Sequence, residues 1–322
     1  MGFGRWLIAL LALALGPYAR ADLTLRHTFT FHFASFVPPE LETQVSQQLS
    51  ATLPSETLVR IKGDRVYSSF GPLFAITDYR QNQITLLNPK THQYATAPLG
   101  ESFEKIAAAQ PIPALPPEVE RNLGDLSIDV QTHSPGLTGE VQGIRAEEEL
   151  LAVSMNMAGT QGVASAMRLE MQIWVAQAGE LLRVPALREW ADYAGRAQRA
   201  FKPAEMIEKM FSRLPAMRDS LRAPLEELAK TNASLVLKLH AAVLIPALSQ
   251  TLAFTGQTPD GFDPAGPLAE FQMDLADLST AEIPDSVYAV PAGYRAAPLQ
   301  DLVQALVQAP SPIPSAAPQP LR

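Results

Sequence analysis

The chain has 322 residues, of which 47% are hydrophobic and 18% charged, so it carries enough apolar material for a substantial core and is not disordered throughout. Its formal net charge is −8 and its basic residues form no block, which argues against nucleic-acid binding as the main role. Cysteine is absent, which excludes disulfide scaffolds, thiol nucleophiles, cysteine zinc sites and iron–sulfur clusters.

Residues 1–21 have the pattern of a cleavable secretory signal peptide. Arg5 supplies the positive charge, Trp6 to Leu15 is an unbroken apolar run, and Ala19-Arg20-Ala21 fits the cleavage site. The run is shorter than the roughly 20 apolar residues that cross a bilayer. We therefore expect a periplasmic or secreted protein with no integral membrane span after cleavage. The absence of cysteine also excludes a lipid anchor on an N-terminal cysteine.

The first mature segment, Leu23 to Phe33, alternates between apolar and polar residues. Period two over this length predicts a half-buried β-strand, and threonine and phenylalanine favour strands. The apolar face carries Leu23, Leu25, Phe29, Phe31 and Phe33. Three aromatic side chains in succession give this face a large apolar surface.

Short strands separated by turn residues follow, as in an antiparallel meander. They are predicted at 57–62, 66–70, 74–79, 84–87 and 93–97. Glu101 to Ala109 has the pattern of a short helix, and the prolines at 111–117 break the chain after it. Strands and helices do not alternate, so a parallel nucleotide-binding sheet is not expected.

Longer strands are predicted in the second half of the chain, at 126–131, 143–157, 167–175, 234–245 and 271–276. Long strands joined by tight turns describe a wide, curved antiparallel sheet. A helical insert near 186–231 interrupts them, and Leu299 to Val307 predicts a last helix. The tail 309–322 carries five prolines and almost no charge, as disordered tails do. We therefore expect one domain over residues 22–308.

Several motifs occur in an order that is typical of a known family. Ile61-Lys62-Gly63-Asp64-Arg65-Val66 and Ile76-Thr77-Asp78 come first, followed by Ile84 to Lys90 with Tyr94 close behind. Ile283-Pro284-Asp285-Ser286-Val287-Tyr288 and Val290-Pro291-Ala292-Gly293-Tyr294 stand near the end. Over about residues 22–300 this order resembles the outer-membrane lipoprotein carrier superfamily, and within it a branch of exported bacterial domains. Tyr67 departs from the family pattern, which has a second basic residue there.

The resemblance implies a fold and a binding mode. The fold would be α+β, a curved antiparallel sheet that forms a half-open barrel, with helices packed on its concave face. Carriers of this superfamily hold acyl chains between the sheet and the helices. The residues suited to line such a cavity are aromatic or methionine side chains: Phe29, Phe31, Phe33, Met155, Met157, Met167 and Met171. Their alternation fits ordinary core packing equally well, because it reports burial alone.

The sequence contains none of the common catalytic motifs. Its five histidines belong to no metal-binding or hydrolase motif, and no glycine-rich phosphate loop occurs. We therefore expect a protein that is not an enzyme and that uses no cofactor and no metal. A hydrolase with an unrecognised site is the weakest of the functional hypotheses.

Two functional hypotheses come before it. The first is a periplasmic binding protein for a lipid or lipoprotein acyl chain, acting in envelope transport or maintenance. The second is an envelope sensor or interaction module on the same fold, with a protein partner and no lipid cargo. In that case the helical insert and the proline-rich tail would be the contact surfaces.

Overall fold

The structure is a computed structural model that describes residues 22–34, 55–70, 72–109, 126–159, 162–201, 235–246, 263 and 266–307. Four predictions fall outside these ranges and are not tested by it. They are the signal peptide at 1–21, the prolines at 111–117, the helical insert beyond residue 201, and the tail at 309–322.

Within the described ranges the chain forms thirteen strands and four α-helices. The strands are β1 (Leu23–Phe33), β2 (Glu56–Lys62), β3 (Arg65–Phe70), β4 (Leu73–Asp78), β5 (Gln83–Asn88), β6 (Gln93–Pro98), β7 (Leu126–His133), β8 (Thr138–Val141), β9 (Ile144–Gly159), β10 (Gly162–Ala176), β11 (Val236–Leu244), β12 (Ala269–Ser279) and β13 (Arg295–Ala296). The helices are α1 (Leu99–Ala109), α2 (Glu180–Arg183), α3 (Pro185–Phe201) and α4 (Leu299–Val307). A 3-10 helix spans Asp285–Tyr288.

All of these strands join one sheet, in the order β13-β6-β5-β4-β3-β2-β1-β12-β11-β10-β9-β7, with β8 also paired to β9. The pairs are antiparallel except that of β13 with β6, which is parallel and makes the sheet mixed. The sheet is not closed, because β13 and β7 stand at its two ends in the described part of the chain. Strand β1 is central, between β2 and β12.

The expected α+β fold, a half-open antiparallel barrel with helices on its concave face, is therefore wrong. The described residues are mostly strand, and their helices are few and 4 to 17 residues long. A sheet of thirteen strands has more surface than these helices can cover. The helices α1 and α4 contact β5 and β6 at one end of the sheet, and α3 contacts β1 and β2.

The predictions for individual elements are confirmed more often than the fold class. Strand β1 and helix α4 have the predicted bounds, and β2 to β6 form the predicted meander of antiparallel neighbours. Within the strand predicted at 234–245, residues Val236–Leu244 form β11. Among the helices that the structure describes, none has both the length and the apolar character needed to cross a membrane.

The main core lies where α3 packs near the first half of β1. Leu23 and Leu25 are 0% exposed and belong to one cluster with Ala186 and Leu187 of α3. A second cluster lies toward the β13 end of the sheet, where Val303 of α4 packs with residues of β4, β5 and β6. A third cluster lies on β9 and β10, where Leu151, Ile173 and Val175 are buried and Met171 packs against them.

A buried carboxylate at the start of α2 anchors the helices to β9. Glu180 is fully buried, and Arg145 on β9 donates a hydrogen bond from its Nε at 2.6 Å. Arg183 donates to both carboxylate oxygens of Glu180. The hydrogen bonds from Arg183, with those from Arg145, lower the pKa of Glu180 to about 2 although burial opposes the shift.

Candidate functional site

One row of apolar side chains crosses five adjacent strands. In the register of the sheet, Phe31 of β1 lies opposite Phe271 of β12, and Phe271 lies opposite Ala241 of β11. Met171 of β10 lies opposite both Ala241 and Leu151 of β9. Directly opposite residues share a face of the sheet, so these five side chains form what we call the apolar row. Four strand spacings of about 4.8 Å make the row about 19 Å long.

An aromatic cluster forms one end of the apolar row. The ring centroids of Phe31 and Phe271 are 5.0 Å apart, and those of Phe29 and Phe271 are 5.6 Å apart. The Phe29 and Phe271 rings are stacked at an interplanar angle of 21°. Phe33 lies opposite Ala269 and extends the same face toward the end of β1. These separations fall within the range in which aromatic pairs attract each other.

The predicted methionines extend the other end of the face. Met155 of β9 lies opposite Met167 of β10, and both are partly buried. They share the face of Met171, which lies four register positions further along the same strand pair. Met157 lies opposite Ala164 in the backbone register, but its side chain is outside the described part of the structure.

The aromatic cluster is less completely buried than the leucine residues in the first half of β1. Leu23 and Leu25 are 0% exposed, whereas Phe29, Phe31 and Phe33 are partly buried. Phe271 is partly buried as well. Apolar surface that water still reaches can gain free energy when a ligand covers it.

Sequence reasoning missed Phe271 as a member of this face. Its alternation with Gln272 predicted a strand, but no local signal indicated that β12 lies beside β1. Only the long-range pairing places Phe271 between Phe29 and Phe31. A list of aromatic residues on predicted strands would have included it, without its position.

His27 sits on the same face of β1, between the leucine half and the aromatic half. Its side chain is buried, at 8% exposure for the residue, and its Nε2 lies 3.3 Å from the carbonyl oxygen of Val236. Burial lowers the pKa of His27 below the ordinary value of 6.5. The ring is therefore held neutral in the folded protein near pH 7, as an apolar face requires.

Two of the motifs that carry the family resemblance meet in space. Asp285 accepts a hydrogen bond from Arg65 at 2.8 Å, and Lys62 donates to the carbonyl of Ile283 at 2.7 Å. The backbone N–H of Ile283 donates to Asp22 at 2.5 Å. The hydrogen bond from Arg65 is the largest of the effects that lower the pKa of Asp285. These contacts fasten the segment after β12 to the turn between β2 and β3, which is a structural role.

The described ranges contain no cluster of three or more histidine, aspartate or glutamate side chains placed to hold a metal ion. His133 ends β7 with an exposed side chain, and His240 pairs with Glu270 at 3.0 Å.

Comparison with protein-family models and with curated proteins finds no match to this chain. The resemblance to the lipoprotein carrier superfamily therefore stays a prediction from the sequence motifs.

Proposed function

We propose that this protein is an exported binding protein for a lipid or a lipoprotein acyl chain, acting in transport or maintenance of the bacterial envelope. The observation that carries the proposal is the apolar row, from Phe31 to Leu151 across five strands, with its partly buried aromatic end. The signal-peptide pattern of residues 1–21 supports export.

The dimensions and chemistry of the row suit one extended acyl chain. The hydrocarbon core of a bilayer is about 30 Å thick and holds two layers of chains, so one chain spans about 15 Å. The row is about 19 Å long by strand spacing, and within it Ala241 and Leu151 are buried while Phe31, Phe271 and Met171 are partly buried. Each methylene that leaves water contributes about 0.8 kcal/mol, and methionine side chains adapt to a flexible ligand.

The first experiment asks whether a lipid accompanies the purified protein. The protein would be produced in a bacterial host with its own leader and measured by native mass spectrometry. A lipid extract of the same sample would be analysed in parallel. We expect a bound mass that organic solvent removes and that reappears in the extract. A bare protein that also takes up no lipid on incubation would contradict the proposal and favour the sensor hypothesis.

A matched pair of variants tests the face itself. Phe271→Ala removes the ring that contacts both Phe29 and Phe31, and Phe74→Ala removes a ring stacked on Tyr67 at 5.4 Å elsewhere in the sheet. A fluorescent long-chain fatty acid is the probe. Losing a phenylalanine contact costs on the order of 1.5–3 kcal/mol, so Phe271→Ala should weaken binding by about tenfold or more. Phe74→Ala should bind like the wild type, and equal loss in both variants would contradict the assignment.

A further inference from the structure

A polar row crosses the opposite face of the same strands. His133 of β7 lies opposite Leu150 of β9, Leu150 opposite Gln172 of β10, and Gln172 opposite His240 of β11. His240 in turn lies opposite Gln272 of β12. These five residues alternate with those of the apolar row, so the two rows lie on opposite faces of the sheet.

Two adjoining clefts follow the polar row. The larger has a volume of about 320 Å³, and the smaller of about 160 Å³. They share Gln172 and His240, and together they form a groove from β7 to β12. The larger volume lies at the lower end of the range for small-molecule sites, about 300–1,000 Å³.

Two pairs of opposite charge lie along this groove, while the carboxylates of Glu148 and Glu270 contact the uncharged amide of Gln172 and the ring of His240. Arg168 Nε lies 3.0 Å from Glu170 Oε1, and His240 Nε2 lies 3.0 Å from Glu270 Oε1. Lys238 and Asp274 are directly opposite each other in the register. The additional carboxylates disfavour an anionic ligand. The mixed donors and acceptors of the groove suit a neutral ligand that can both donate and accept hydrogen bonds.

The side chains of the groove suit hydroxyl groups. Gln131, Arg168 and Glu170 line the larger cleft and present planar groups with several donors or acceptors each. Gln172 is oriented by its hydrogen bond to the buried carboxylate of Glu148. A preorganised amide loses less conformational entropy when it binds a ligand.

Apolar surface lies among these polar groups. Leu150, Ala152 and Ala242 contribute to the larger cleft, and Trp174 contributes to the smaller one. A sugar ring presents hydroxyl groups at its edge and C–H groups on its faces. A groove that combines planar hydrogen-bonding groups with aliphatic and indole surface complements both parts.

We infer that the groove along the polar row is a binding site for a neutral oligosaccharide. This site goes beyond the proposed lipid function and does not depend on it, because its polar groups lie on the polar row, although Leu151 and Met171 of the apolar row also line the larger cleft. An oligosaccharide has the extended shape that a groove across five strands requires. The chain would then hold an acyl ligand on one face and a glycan on the other.

The test titrates the full-length protein with maltohexaose, cellohexaose and chitohexaose by calorimetry, with hexagalacturonate as the anionic comparison. The variants are Arg168→Ala and His240→Ala, with Arg26→Ala as the control. Arg168 and Arg26 are matched, since each pairs with a glutamate and their side chains are 46% and 43% exposed. Circular dichroism would verify that every variant is folded.

We expect at least one neutral hexasaccharide to bind with a Kd below about 1 mM. The Arg168→Ala and His240→Ala substitutions should each weaken it by about tenfold, and Arg26→Ala should leave it unchanged. Three results would overturn the inference: no neutral sugar binding at about 10 mM, binding unaffected by both groove variants, or binding of hexagalacturonate alone. If the wild-type protein binds a neutral sugar but no fatty acid, the proposed lipid function is contradicted and this inference is not.

Discussion

Acidification should destabilise this protein through His27, and the His27→Gln substitution should remove that contribution. The residue is 8% exposed, lies opposite Leu275, and has Leu25 and Phe29 as its neighbours on the same face of β1. Burial holds the pKa of His27 below 6.5 in the folded state. The unfolded chain, which is solvated, takes up the proton first as the pH falls.

The sign and slope of this effect follow from proton linkage. Above about pH 6.5 the ring is neutral in both states, and its contribution to stability is fully present. Between 6.5 and the lower folded-state pKa, the unfolded state binds up to one more proton than the native state. The free energy of unfolding therefore falls by at most about 1.4 kcal/mol for each pH unit in this window. The contribution of His27 to stability is lost progressively as the pH falls through the folded-state pKa.

The assay is denaturant unfolding, followed by tryptophan fluorescence, at several values between about pH 8 and about pH 5. His27→Gln keeps an amide that can donate to the Val236 carbonyl but does not ionise. His32→Gln, on the exposed side of the same strand, is the control. We expect the slope below pH 6.5 to diminish in His27→Gln and to persist in His32→Gln. An unchanged slope in His27→Gln would refute the reasoning.

Three further predictions concern stability. Leu25→Ala should lower the free energy of unfolding by about 2–5 kcal/mol because the side chain is 0% exposed. The control Leu137→Ala, at 56% exposure, should lower it by less than about 0.5 kcal/mol. Equal losses in denaturant unfolding would contradict the assignment of Leu25 to the core. Gly139→Ala places a Cβ 2.9 Å from the indole ring of Trp174 on β10 and should lower thermal stability. Gly100→Ala, in α1 with open space around it, should not. Glu180→Gln should remove part of the acid-induced loss of stability between about pH 4.5 and about pH 2. The reason is that the low pKa of this carboxyl stabilises the native state above this window. Acid titrations of the wild type and the variant that coincide would be evidence against the buried ion pair.

Local periodicity predicts single elements of this protein well and their arrangement poorly. Alternation over eleven residues gave β1 its bounds, and helical spacing gave α4 its bounds, because both patterns are set within the element. Strands β8 and β13 are 4 and 2 residues long, which is too short for a period to show. They were therefore not predicted, and neither was the parallel pair that makes the sheet mixed.

Strand pairing involves residues far apart in the sequence. Thr30 and Gln272 are 242 positions apart, yet their side chains hydrogen-bond across β1 and β12. No turn residue or spacing between them specifies that contact. The apolar row depends on this pairing and on that of β10 with β11, so the sequence could supply members of the site but not their order. The arrangement of helices over a concave face was implied by the family resemblance and not by a local pattern, and it is this arrangement that the thirteen-stranded sheet contradicts.

Strand β1 shows why alternation alone could not separate a core from a binding face. Apolar and polar residues alternate in both halves of the strand. Leu23 and Leu25 are fully buried where α3 packs near them, whereas Phe29 and Phe31 remain partly exposed. Covering apolar surface contributes about 25 cal/mol for each Å² removed from water, so a ligand gains most at the phenylalanine half. Truncating Phe31 should therefore reduce acyl-chain affinity more than stability. Truncating Leu25 should have the opposite effect, and this contrast is what a face built for a ligand predicts.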